Sequence, residues 1–120
     1  MPKQTPQEKK PKEISEKTAN DIQELQLLEQ NLQSLMLQKQ AFQLEISETL
    51  NALDELSKTK EEVYKIIGSI MLKAKKQELE SDLKRKKELL DLRIKNIEKQ
   101  EEVVRERLLK TRNEVMKELR

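Results

Sequence analysis

The side chains that could carry covalent or metal chemistry are almost all missing from this chain. Its 120 residues include no cysteine and no histidine, which removes thiolate nucleophiles, disulfides, and the commonest metal ligand and general base. Adjacent carboxylates such as Glu61-Glu62 and Glu101-Glu102 are left as proton donors or acceptors. Acid–base catalysis needs such groups in a dry, concave pocket that shifts their pKa values, and here they read as solvated helix faces. The run Lys84-Arg85-Lys86-Lys87 could meet phosphates. One basic run with acids interspersed and no aromatic platform is weak evidence for nucleic-acid binding. Nothing in the sequence looks like a phosphate-binding loop. The expectation is a protein that is not an enzyme, with no cofactor, no bound metal and no nucleic-acid ligand.

The elements that position the remaining side chains follow from composition and period. With 40% charged and 2% aromatic residues, the chain lacks the material of an ordinary globular core. Abundant Leu, Glu, Lys, Gln and Arg at helical spacing point to a coiled coil, which buries only a narrow stripe on each helix. From about Ser15 to Leu56 no helix breaker occurs, and a 4,3 spacing runs through Leu25, Leu28, Leu32, Leu35, Lys39, Phe42, Ile46, Thr49, Leu53 and Leu56. Eight of these ten positions are apolar, which predicts a helix over about residues 15–57 supplying one side of a coiled-coil seam. A second helix over about 76–119 carries Leu83, Leu90, Ile94, Ile97, Val104, Leu108 and Val115 on a register interrupted by Glu80, Lys87, Glu101 and Thr111.

Folding the two helices against each other places Ile46 near Leu90, Phe42 near Ile94 and Leu32 near Val104, a constant residue sum of 136. Charge agrees with that pairing. Residues 21–56 carry seven acids against the single base Lys39, whereas residues 80–120 carry thirteen bases against ten acids.

Between the helices lies VYKIIGSIMLK, residues 63–73, which holds the only glycine and the only tyrosine. Gly68-Ser69 between two runs of β-branched and large apolar residues signals a two-residue hairpin turn, because glycine accepts the positive φ that a type II′ turn requires. Ile67 then faces Ile70, Ile66 faces Met71 and Lys65 faces Leu72. Both faces of such a hairpin, built from Val63, Tyr64, Ile66, Ile67, Gly68, Ile70, Met71 and Leu72, are largely apolar. Two strands alone are marginal in water and leave two open edges, so further strands must complete them.

This order of elements resembles the β-class subunit of prefoldin, over about residues 18–118. The most specific part is the Tyr64-Lys65 to Gly68 pattern followed by the apolar strand, and one hairpin rather than two distinguishes the β class from the α class. The resemblance implies a mainly α fold, a long antiparallel two-helix coiled coil joined by a short β-hairpin that builds an oligomeric β-barrel. It further implies an α2β4 hexamer with α-class subunits, capture of non-native client proteins at the coiled-coil tips without nucleotide, and delivery to a group II chaperonin. One departure is the entry to the second helix, where Lys73-Ala74-Lys75-Lys76 offers no good N-cap and its lysines oppose the helix dipole.

In that arrangement the tips are the start of the first helix and the end of the second. Ile22, Leu27, Met36, Leu109, Met116 and Leu119 fall outside the seam register there, and exposed apolar side chains are a candidate binding surface. With the neighbouring seam residues Leu25, Leu28 and Val115, they form the expected client-binding set. The competing interpretation is a structural coiled-coil adaptor or a nucleic-acid-binding helical arm, for which open strand edges have no use. Residues 1–13 hold all three prolines among lysines and glutamines and are expected to be a disordered tail, leaving 14–120 as one domain. That start has no signal-peptide core, and no apolar run approaches the roughly 20 residues of a membrane span; the chain reads as cytoplasmic, without a membrane partner.

Overall fold

The computed structural model describes residues 15–120, so the tail expected over 1–13 lies outside the described residues. Four elements follow in chain order: α1 (Glu16–Lys58), β1 (Val63–Ile67), β2 (Ile70–Ala74) and α2 (Lys76–Leu119). The chain divides into two compact units. A terminal unit joins residues 15–35 to Gln100–Arg120, and a hairpin unit spans Met36–Lys99.

In the terminal unit α1 starts on a side-chain cap. Ser15 Oγ accepts the backbone N–H of Thr18 at 3.1 Å, and its carbonyl accepts that of Ala19 at 2.9 Å. The bond to Ala19 is the first of the helix ladder, and the bond from Thr18 pairs one of the donors that every helix start leaves unsatisfied. The Glu118 carboxylate accepts from Ser15 Oγ at 3.2 Å and from the Thr18 hydroxyl, setting a negative charge at the positive end of α1. Thr18 and Glu118 also stand at the residue sum of 136 expected for the antiparallel register. Leu35, Val104, Leu108 and Val115 are buried, as are the polar seam residues Thr18, Glu101 and Thr111. Polar groups in a seam forfeit apolar burial but favour one register over its neighbours.

In the hairpin unit Leu56, Leu90 and Ile97 are buried, and Arg93 lies over the Phe42 ring at 5.7 Å, a cation–π contact. Buried Thr49 turns its hydroxyl to the Glu45 carbonyl of its own helix at 2.7 Å. Three residues of the basic run are in ion pairs: Arg85 with Asp82 at 2.8 Å and Lys87 with Asp91 at 2.8 Å on the same helix, and Lys86 with Glu45 of α1 at 3.9 Å.

The lysine-rich entry to α2 has a structural reason. Lys76 Nζ donates to the Thr59 carbonyl at 3.1 Å and the Ser57 carbonyl at 3.5 Å, where the carbonyl end of α1 is electronegative. A cation poorly placed for its own helix serves the end of the other. Helix α2 itself begins with the Leu79 N–H on the Lys75 carbonyl at 3.0 Å, and Glu78 supplies an acid to its first turn.

The strands pair antiparallel with Ile67 opposite Ile70, Ile66 opposite Met71 and Lys65 opposite Leu72, extending to Val63 opposite Ala74. Gly68 has φ +61°, as the first central position of the expected turn requires. A Cβ built there meets nothing within 4 Å, so the objection to any other residue is conformational. Gly68→Ala is expected to cost about 1–2 kcal/mol, read by urea denaturation, while a synthetic chain with D-alanine at that position should equal or exceed the glycine protein. Equal midpoints for all three chains would refute the assignment of strain to this turn.

Candidate functional site

The helix pairing leaves apolar side chains uncovered along the helices, as at Leu37, Leu44, Leu50, Leu89 and Leu92, and on two further surfaces, the hairpin and the terminal unit. On the hairpin, pleating sends Val63, Lys65, Ile67, Ile70, Leu72 and Ala74 to one face and Tyr64, Ile66, Met71 and Lys73 to the other. Val63, Lys65 and Ala74 are half-buried. Ile66 is 68% exposed and Met71 63%, and Tyr64, Ile67, Ile70 and Leu72 are exposed as well. At the hairpin base, Lys73 Nζ and the Tyr64 hydroxyl both donate to Glu62, at 2.8 and 3.0 Å. Lys73 first, then Tyr64, holds that carboxyl below the usual carboxylate range. A pair of strands with apolar groups on both faces and unpaired backbone at both edges is an unfinished sheet.

The terminal unit carries the second surface. Among the residues expected at the helix ends, Leu27, Leu109, Met116 and Leu119 are exposed, whereas Ile22, Leu25 and Leu28 are half-buried. Val115 differs. It is 6% exposed, because its seam position turns it towards α1, so it supports the surface from beneath and offers no contact area of its own. Met36, exposed like the others, belongs to the hairpin unit.

Positions flanking the seam divide this unit into two unlike sides. On one flank Lys17 meets Glu114 at 3.5 Å, and Arg107 meets Glu24 at 2.8 Å. Thr111 adds a hydrogen bond to Glu24 at 3.1 Å, and Lys17 also reaches Asp21 at 3.0 Å. Arg107 first, then Thr111, draws the Glu24 carboxyl below its ordinary range. A groove of about 540 Å³ remains on this flank beside Val103, Glu106 and Lys110, and on the opposite flank a groove of about 360 Å³ is lined by Glu29, Leu32, Arg105, Leu108, Leu109 and Arg112. Sequence reading found the leucines but passed over Arg105, Arg112 and Glu29. The signal available was their shared flank in the heptad, the same spacing logic that revealed the seam.

The sequence matches the family model for prefoldin subunits over residues 19–120. The chain belongs to the prefoldin subunit family. It is 36% identical over 105 residues to the prefoldin subunit beta of Archaeoglobus fulgidus, covering 86% of this chain and 90% of that one. The corresponding protein of Caldivirga maquilingensis is also 36% identical over 105 residues, with 86% and 87% covered. The crystal structure of the prefoldin beta subunit from Thermococcus strain KS-1 superposes with a TM-score of 0.82 at 32% identity, covering 90% of this chain and 96% of that one. The chain is thus a prefoldin co-chaperone subunit of the beta type, and it assembles with other prefoldin subunits. No described helix is long and apolar enough to cross a membrane.

The laced flank of this prefoldin subunit has a pH signature. Glu24 titrates below an unfolded glutamate, so its contribution to stability is complete above the ordinary glutamate range. It is lost as pH falls through the lowered folded-state value. Carbon-13 titration of Glu24 is expected to show this low midpoint. Arg107→Gln should move it up furthest and Thr111→Val by a smaller step. A Glu24 midpoint unaffected by Arg107→Gln would refute the assignment.

Proposed function

We propose that this prefoldin subunit is an ATP-independent holdase. Its hairpin pairs with those of other copies and of α-class subunits into a β-barrel body, in an α2β4 hexamer from which the helix pairs extend as arms. Client proteins in non-native states are held at the free ends of the arms and handed to a group II chaperonin in the cytoplasm. Client contact falls to Ile22, Leu25, Leu27, Leu28, Leu109, Met116 and Leu119, with Val115 packed underneath.

The observation that carries this reading is the set of exposed leucine and methionine side chains on the terminal unit, where Leu109 is 56% and Met116 50% exposed. Unbranched, polarisable side chains such as methionine adapt to many shapes, as a surface for diverse unfolded chains requires. The hairpin supplies the complementary requirement, since strands left unpaired on both edges join others.

Two variants separate the two roles. Ile67→Asp with Ile70→Asp is expected to reduce the mass of the assembly, measured by light scattering, while far-UV helicity stays largely intact. Leu109→Ser with Met116→Ser and Leu119→Ser should leave the mass unchanged but remove most suppression of aggregation of a denatured test protein, with no ATP added. Undiminished protection by the triple variant would refute capture at the arm ends.

A further inference from the structure

The flank of the terminal unit opposite Arg107 carries charges that the helix pairing leaves unused. Arg105 and Arg112 stand one heptad apart on α2, about 10 Å along the helix axis, and both line the groove with Leu109 between them in sequence. Leu32 and Leu108 lie deeper, and Leu108 is buried. Among the described residues, neither arginine takes part in an ion pair. Glu29 lines the same groove and is also outside the ion pairs among the described residues. On the other flank Lys17 is paired with Asp21 and Glu114, and Arg107 with Glu24, while Lys110 beside them takes part in no ion pair among the described residues. The two sides of one helix pair therefore differ, one pairing its arginine with a carboxylate and one leaving two guanidiniums over an apolar floor.

We propose that this groove selects client segments in which a large apolar side chain is flanked by carboxylates. The inference rests on client capture at the arm ends and names the kind of segment taken there. A leucine- or phenylalanine-sized side chain fills the space over Leu32 and Leu109. An aspartate or glutamate on either side of it meets Arg105 or Arg112, whose planar forks bind carboxylates in bidentate fashion. A lysine-flanked segment brings like charge to both guanidiniums, with Glu29 alone to offset it. A nucleic acid matches the arginines but not the floor, which has no aromatic ring for a base to stack on.

The experiment measures fluorescence anisotropy with the full-length chain and three labelled 12-residue peptides that share a central Leu-Phe pair, flanked by aspartate, glutamine or lysine. The aspartate peptide is expected to bind about tenfold more tightly than the lysine peptide, with the glutamine peptide between them, consistent with two exposed ion pairs. Arg105→Gln with Arg112→Gln should collapse that order while changing the glutamine peptide less than twofold. Glu29→Gln should tighten the aspartate peptide about twofold. Far-UV circular dichroism checks that each variant keeps its helices. Affinities independent of flanking charge, or a preference that survives the double arginine substitution, would overturn the proposal. So would a single-stranded RNA 12-mer that binds as tightly as the aspartate peptide and is lost with the arginines. Leu109→Ser distinguishes the underlying reading: if it weakens all three peptides equally, capture at the arm ends stands while charge selection is judged by the other results. If it weakens none, both are refuted.

Discussion

Two helices packed against each other bury one stripe on each and no more. Everything else about this subunit depends on that geometric limit. Leu35, Leu56, Leu90, Ile97, Val104, Leu108 and Val115 occupy the stripe, and with 40% of residues charged and only two aromatic rings there is no second layer to cover anything further. Apolar side chains off the stripe must either meet another molecule or stay wet. In this chain they lie on a hairpin with open edges, on the terminal unit, and on the helices of the hairpin unit, as at Leu44 and Leu92. The surfaces available for assembly and for holding clients are thus the remainder after the seam is filled.

Which residues belong to that remainder is decided by the stagger between the helices. The threonines of the seam are buried and keep their hydrogen bonds. Thr49 bonds within its own helix, whereas Thr18 and Thr111 reach carboxylates on the other. Contacts of the latter kind hold only at one stagger. Once it is set, the flanking positions have no freedom: Glu24 comes opposite Arg107 and Lys17 opposite Glu114, while Ile22, Glu29 and Arg112 fall on the other flank. Paired charge on one side and, among the described residues, unpaired arginines on the other are consequences of a register fixed by threonines.

The seam was legible in the sequence because its period is a property of the helix alone. The hairpin pairing was equally legible, since a two-residue turn at Gly68 leaves one register for Ile67 and Ile70 to meet. The role of Lys76 was not, because its partners Ser57 and Thr59 lie on the far side of the hairpin in sequence, and local rules see only its unfavourable place at the start of α2. Nor was the division of the flanks. Heptad position places Glu29 and Arg112 near the seam, but whether two such charges close on each other depends on side-chain reach across the helices, as the 2.8 Å pair of Arg107 with Glu24 shows by contrast. Val115 is a seam residue by its spacing and joins the client-contact set only through its neighbours near the chain end. Burial follows rotation about the helix axis, and its seam position outweighs its nearness to the terminus.

A holding surface that uses no nucleotide must also let go, which sets a range for the affinity of each arm. Burying the exposed portions of Leu109, Met116 and Leu119 yields about 3–4 kcal/mol before ordering costs, an affinity near millimolar at best. In an assembly of several arms, each additional contact multiplies the overall affinity by the ratio of effective concentration to that arm's own dissociation constant. For flexible linkage that concentration is also on the order of millimolar. Apolar contact alone therefore leaves the multiplier near one, and further arms add little. A gain of about threefold per arm from Arg105 and Arg112, the aspartate peptide's margin over the neutral one, would raise the multiplier to about three, so that a few arms together reach affinities on the order of ten micromolar while each one still releases quickly. The two arginines matter most for this collective effect. Completing the groove with a third or fourth strong contact would make single arms grip too tightly for a client to be passed on.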